Sequence, residues 1–176
     1  MAERAYSRAQ WRCAVNLSAL LGWAGWCLVS AAGILIEEPG RLIQYFTLLP
    51  WVAGIGLPIA FALCWLIGAP LLWRVMARPV GRGRAALTGG ACAATFAAIS
   101  ILLGRLNGLR ISRDDSFHSQ IGGGDYVRSV DGILTAYGWL VVAQNSAIFI
   151  AIGVAVGLTV HALVGQPRGG EGAARG

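Results

Sequence analysis

The stretch LIQYFTLLPWVAGIGLPIAFALCWLIGAPLLW, residues 42–73, carries no charged side chain. At about 1.5 Å per helical residue it outruns a hydrocarbon core of about 30 Å, so it reads as a membrane element. Pro50, Pro58 and Pro70 divide it, because each proline removes a backbone N–H and crowds the carbonyl four residues earlier. Pro50 marks the expected start of a span over 50–73, with 42–49 as an amphipathic lead-in along the interface. Pro58, preceded by Gly54 and Gly56, predicts a bend that frees the Gly54 carbonyl, which lipid cannot satisfy. Pro70 falls near the far end, ahead of Arg74, and Trp51 and Trp73 suit the aromatic belts at the two interfaces. This proline-bent helix is the element against which three others are expected to pack.

Toward the N-terminus, residues 13–36 form a second apolar run of spanning length, closed by the turn Glu37-Glu38-Pro39-Gly40-Arg41. Asn16 and Ser18 are its polar points, and Ser18 with Gly22 makes a small-x-x-x-small pair suited to close helix contact. Residues 1–12 place Arg4, Arg8 and Arg12 four apart beside Tyr6 and Trp11, which predicts a short cytoplasmic helix at the headgroups. A cleaved signal peptide ending near Ser30-Ala31-Ala32 is the alternative, but the apolar run is longer than a signal core and continues past that point.

Toward the C-terminus, Arg74, Arg78, Arg82 and Arg84 precede a third span over 85–103, where Ala86, Gly90, Ala94 and Ala98 form one small-residue row and positions 89, 93 and 97 another. A fourth span over 133–164 carries Ala143, Ala147, Ala151 and Ala155 at intervals of four, and a Gly153-x-x-x-Gly157 pair. These ridges are expected to meet those of the third span. Gln144 and Asn145 lie well inside the last span, where amides are expected to bond across to another helix. The Gly-rich tail, 165–176, is expected to be disordered.

Between the last two spans, residues 104–131 form the one extended polar segment, GRLNGLRISRDDSFHSQIGGGDYVRSVD. Its apolar residues argue against free disorder, and one or two short surface helices split at Gly122-Gly123-Gly124 are expected. With the N-terminus cytoplasmic, that side collects nine arginines (4, 8, 12, 74, 78, 82, 84, 168, 175) against five outside (41, 105, 110, 113, 128). The positive-inside rule therefore places both termini inside and the long loop outside.

Of 176 residues 56% are hydrophobic and only 12% charged, about half the usual charged fraction of a soluble domain, which points the same way. The net charge of +6 comes with no basic patch interleaved with exposed aromatics, so nucleic acid is not an expected partner. Cys13, Cys27, Cys64 and Cys92 all fall in apolar runs without a C-x-x-C pair, which disfavours a disulfide framework, a zinc site and the loop-cysteine chemistry of four-helix thiol oxidoreductases. Paired aspartates in the motifs of four-helix lipoprotein signal peptidases are likewise not found.

The sharpest constellation is Asp114-Asp115-x-x-His118, which on a helix puts two ligands one turn apart, with Asp125 brought back by the glycines. A solvated face whose aspartates pair with Arg110 and Arg113 is the simpler reading, since only the first pair has ligand spacing. A serine hydrolase from Ser116 or Ser119 is weaker still, because sequence neighbours rarely converge as a triad. No charged residue sits mid-membrane, where one would mark ion or proton transport. His118 and His161 lie on opposite sides and cannot share a haem.

The reading is therefore an all-α, four-helix protein of a bacterial inner membrane, without cofactor or metal. By elimination it is an accessory or interaction subunit of a membrane complex. Its partner is another membrane protein or a second copy of itself, docked through Phe117, Ile121 and Tyr126 of the outer loop. A small transporter or oligomeric channel for a neutral solute is the alternative, and an enzyme using the loop aspartates a weaker third.

Overall fold

A computed structural model describes residues 5–37, 39–113 and 118–164. It is mostly helical. Helix α1 spans Arg8–Glu37, α2 Leu42–Leu63, α3 Ala69–Val75, α4 Arg82–Ile111 and α5 Ala136–Val164. Two-residue strands β1 (Gln120–Ile121), β2 (Ser129–Val130) and β3 (Ile133–Leu134) form an antiparallel sheet in that order. Four helical stretches are long and apolar enough to cross a membrane: Arg8–Ile36, Ile43–Val75, Arg82–Ile111 and Ala136–Val164.

Helix α1 starts at Arg8 because Ser7 and Gln10 form a capping box. The Gln10 amide N–H donates to Ser7 Oγ at 3.1 Å, and the Ser7 N–H donates to Gln10 Oε1 at 2.9 Å. Two otherwise orphaned donors are satisfied reciprocally. From Arg8 onward the segment expected at the headgroups is continuous with the long helix α1, and residues 1–4 lie outside the described residues.

The second span also differs from expectation at its start. Helix α2 begins at Leu42 and runs through Pro50 and Pro58 to Leu63, so 42–49 is continuous with the span. The regular pattern changes later, in a π-helical turn over Cys64–Gly68, where the Ala69 N–H donates to the Cys64 carbonyl five residues back. Pro70, at the start of α3, supplies the reason. It cannot donate to the Leu66 carbonyl and its ring crowds that group, and the wider turn relieves both.

The chain divides into two compact units, one holding the residues up to Cys92 and again from Ile152, the other Ala93–Ala151. In the first unit a small core joins Tyr6, Ala14, Met76 and Val160, with Trp11, Leu17, Val80 and Val156 packed against it. The Val80 N–H donates to the Tyr6 hydroxyl at 3.3 Å, and Gln10 Nε2 donates to the Val164 carbonyl at 3.3 Å, so Tyr6 just before α1 reaches the α3–α4 connection and Gln10 in its first turn reaches the end of α5. Tyr45 donates its hydroxyl proton to the Cys27 carbonyl at 2.8 Å, joining α1 to α2.

Helices α4 and α5 meet in this unit through glycine. A Cβ on Gly89 would overlap the Gly153 carbonyl oxygen and stand 3.1 Å from Gly157 Cα, and one on Gly157 would overlap the Ala85 carbonyl oxygen. Two backbones touch here with no side chain between them, as small-residue membrane contacts permit. The expected meeting of ridges holds for the Gly153–Gly157 pair and corrects the other row, since Ala143, Ala147, Ala151 and Ala155 are exposed. Ser18 and Gly22 are corrected too: a Cβ on Gly22 would meet nothing within 4 Å, and α1 approaches α5 instead at Gly25, where a Cβ would stand 2.9 Å from Ile152 Cγ2.

In the second unit α4 extends to Ile111, so 104–111, expected to belong to the outer segment beyond a span ending at 103, continues the span's own helix. Of the one or two surface helices expected within 104–131, split at Gly122-Gly123-Gly124, the described residues from 118 onward form instead a three-stranded sheet with one 3-10 turn, Gly124–Tyr126. The residues 114–117 and 165–176, with the aspartates, Phe117 and the tail read from sequence, lie outside the described residues.

Candidate functional site

The sheet is built by turn chemistry. Asp131 at φ +48° and Gly132 at φ +78° join β2 to β3, with Val130 paired to Ile133 and Ser129 to Leu134. Two consecutive left-handed residues are what a tight two-residue hairpin needs, and Asp-Gly supplies them at least cost. The Asp131 carboxylate then anchors the incoming strand. Its Oδ1 accepts from the Ser119 N–H at 3.0 Å, the Asp131 N–H donates to the Ser119 carbonyl at 2.7 Å, and His118 Nδ1 stands 3.5 Å from the same Oδ1. Gly132 rests backbone to backbone on Gly108 of α4.

On the other side Thr135 caps α5. Its Oγ1 accepts from the Gly138 N–H at 3.0 Å and donates to the Val127 carbonyl, and its N–H donates to the Arg128 carbonyl at 3.0 Å. A threonine oxygen satisfying an early helix N–H is a common N-cap arrangement. The polar segment is thus clamped at both ends, by Gly108 against Gly132 and by Thr135 against 127–128.

Paired residues across adjacent strands share a face. Gln120, Val130 and Ile133 make one face and all are exposed; Ile121, Ser129 and Leu134 make the other, where Ser129 is buried. Ile121 is 61% exposed and Tyr126 67%, with the Tyr126 ring edge-on to Tyr137 at 5.6 Å. Two of the three residues expected to dock a partner are therefore presented on the surface; Phe117, the third, lies outside the described residues. Val130 and Ile133, on the face opposite Ile121, are exposed as well, and their signal was the Asp-Gly pair between them.

Asn16, Gln144 and Asn145, expected as intramembrane polar residues, part company. Asn16 Oδ1 accepts from Trp65 Nε1 at 3.1 Å, a bond between α1 and the π-turn. Gln144 and Asn145 are both exposed on α5. At about 1.5 Å per residue from Ala136 they stand about 12 to 14 Å along the helix. Gly54 and Pro58 are also exposed, and a Cβ on Gly54 would meet nothing within 4 Å.

At the start of α1 three indoles converge. Trp11 stands edge-on to Trp65 with ring centres 5.4 Å apart and to Trp73 at 5.0 Å, and Trp11 Nε1 donates to the Ala69 carbonyl at 3.1 Å. Trp73, expected as a free belt residue, is partly covered by this stacking, whereas Trp51 is 75% exposed.

Among the described residues no three His, Cys, Asp or Glu side chains converge on one point. Of the metal reading, His118 is described and 82% exposed, while Asp114, Asp115 and the side chain of Asp125 lie outside the described residues. All four cysteines are free thiols. Compared with known proteins, the chain matches no family, no curated protein and no solved structure.

Proposed function

We propose that the chain is a small multi-pass subunit of a membrane complex, and that its second unit carries the binding surface. The observation that carries this reading is the exposure of Gln144 and Asn145 within a span. An amide facing lipid lacks hydrogen-bond partners, and a helix from another subunit supplies them, typically for about 0.6 kcal/mol and up to about 1.7. The exposed Ile121, Tyr126, Val130 and Ile133 support the same reading, because a clamped polar segment holding aromatic and aliphatic side chains outward suits a protein partner. Phe117 belongs to this proposed surface.

In this reading both termini are cytoplasmic, the sheet faces the outside of a bacterial inner membrane, and Pro58 bends the second span at Gly54. A second reading draws on the same amides: in a ring of copies, Gln144 would line an oligomeric path for a neutral solute. Purification in mild detergent separates the two by mass, since a hetero-complex supports the subunit reading and a closed homo-oligomer the channel. Phe117→Ala with Tyr126→Ala should release the partner, whereas Asp114→Asn, Asp115→Asn and His118→Gln should not. Loss only with the polar triple, restored by added divalent metal, would turn the reading toward a metal-dependent enzyme. For orientation, cysteines at Gly83 and Ser119 in a cysteine-free background should label from opposite sides, Ser119→Cys from outside.

A further inference from the structure

We propose that the cleft at the start of α1 binds the phosphate headgroup of an anionic phospholipid. The cleft, about 490 Å³ in volume, is lined by Arg8, Trp11, Arg12, Trp65, Pro70 and Trp73, all in the first unit. Arg8 and Arg12 are one helical turn apart and both exposed, so two guanidiniums can close on one phosphate, the anion whose geometry their planar forks match. The first turn of α1 holds no acidic residue. The positive charge therefore meets no acidic residue within that first turn.

The walls are fixed before any lipid arrives. The Ser7–Gln10 box sets the first turn, Trp11 Nε1 is held by the Ala69 carbonyl, and Trp65 Nε1 by Asn16. With these two indole N–H groups already used, the rings offer the cleft apolar surface and not donors. Two cations above indoles and a proline match a phosphodiester above its glycerol and first methylenes. A free inorganic phosphate would use the arginines and leave the aromatic walls without a partner. The level is also right, because the first turn of a span and its tryptophans sit among headgroups. Leu20 on α1 and Leu66 in the π-turn are exposed apolar side chains of the same unit. The site is independent of which partner the second unit takes.

The test uses the full chain, delipidated in detergent and offered equal amounts of phosphatidylglycerol and phosphatidylcholine, with retained lipid read by native mass spectrometry. One phosphatidylglycerol should be retained at least about fivefold in preference, since each arginine near an anionic lipid contributes about 1 kcal/mol. Arg8→Gln with Arg12→Gln should abolish that preference, while Arg82→Gln with Arg84→Gln, which removes the same charge elsewhere, should leave it. Arg12→Gln alone carries the same comparison if the double variant loses its helical circular dichroism. Equal retention of both lipids by the parent, equal loss in the two double variants, or displacement of the lipid by excess inorganic phosphate would each overturn the proposal.

Discussion

In the first unit side-chain hydrogen bonds join separate segments, whereas in the second two neighbouring amides of one span stand exposed. In the first, Trp11, Trp65, Tyr45, Tyr6 and Gln10 each reach an atom from another segment, and α4 meets α5 with only glycine between them. In the second, hydrogen bonds fix a hairpin and a helix cap while Gln144, Asn145, Ile121 and Tyr126 remain on the surface. A membrane supplies no water to a stranded amide. Under the proposed reading, the first part holds the fold and the second meets a partner.

The largest effect should come from breaking the glycine contact. Gly157→Leu puts a side chain where the Ala85 carbonyl lies, and overpacking of this kind costs typically about 1–3 kcal/mol, at the upper end here because backbone must move. Ala151→Leu, on the exposed row of the same helix, should stay within about 0.5 kcal/mol, as surface changes do. Thermal melts in detergent check both. Equal losses would mean that the alanine row packs against the bundle.

Next in size, Trp11→Ala should cost about 2 kcal/mol, below the usual range for a buried aromatic because Trp11 is only half-covered. It removes two ring contacts and the bond to Ala69. Trp11→Phe should lose less, keeping ring area and dropping the bond. Were the two equally damaging, the hydrogen bond and not the stacking would hold the first unit.

In the second unit Gly132→Ala should cost about 1–2 kcal/mol, since a Cβ is strained at φ +78° and meets the Gly108 carbonyl. Its effect should appear as faster hydrogen exchange at Ser119 and Asp131, with the melting temperature little changed. Loss of the whole fold would erase the distinction between the units.

The spans were legible in the sequence because length and apolar composition suffice for them, and Gly153-x-x-x-Gly157 was legible as a contact. Which row faces the bundle was not. In lipid both faces of a helix are apolar, so spacing alone cannot choose between Ala151 and Gly157. The hairpin carried its signal, Asp131-Gly132 between Val130 and Ile133, yet the apolar run beginning at Ile133 reads equally as span, and a two-residue strand has no period to oppose it. Ser7 and Gln10 likewise spell a capping box three residues apart, hidden beneath an arginine stripe that suggested a surface helix. The π-turn followed from Pro70, one turn ahead of the proline itself. The pairing of Asn16 with Trp65 had no signal, because it depends on how two separate spans are rotated.

Smallest in stability and most direct in meaning is the surface of the second unit. Gln144→Leu with Asn145→Leu should leave the melting temperature of the isolated chain within about 1 °C, because exposed side chains contribute little. The decisive measurement is site-specific photo-crosslinking in native membranes, with a photoreactive residue placed singly at Tyr126, Gln144, Leu28 and Ile55. Leu28 and Ile55 are exposed positions of the first unit. Discrete protein adducts from Tyr126 and Gln144, and none from Leu28 or Ile55, are the predicted result; protein adducts from Leu28 and Ile55 with none from the second unit would contradict the account.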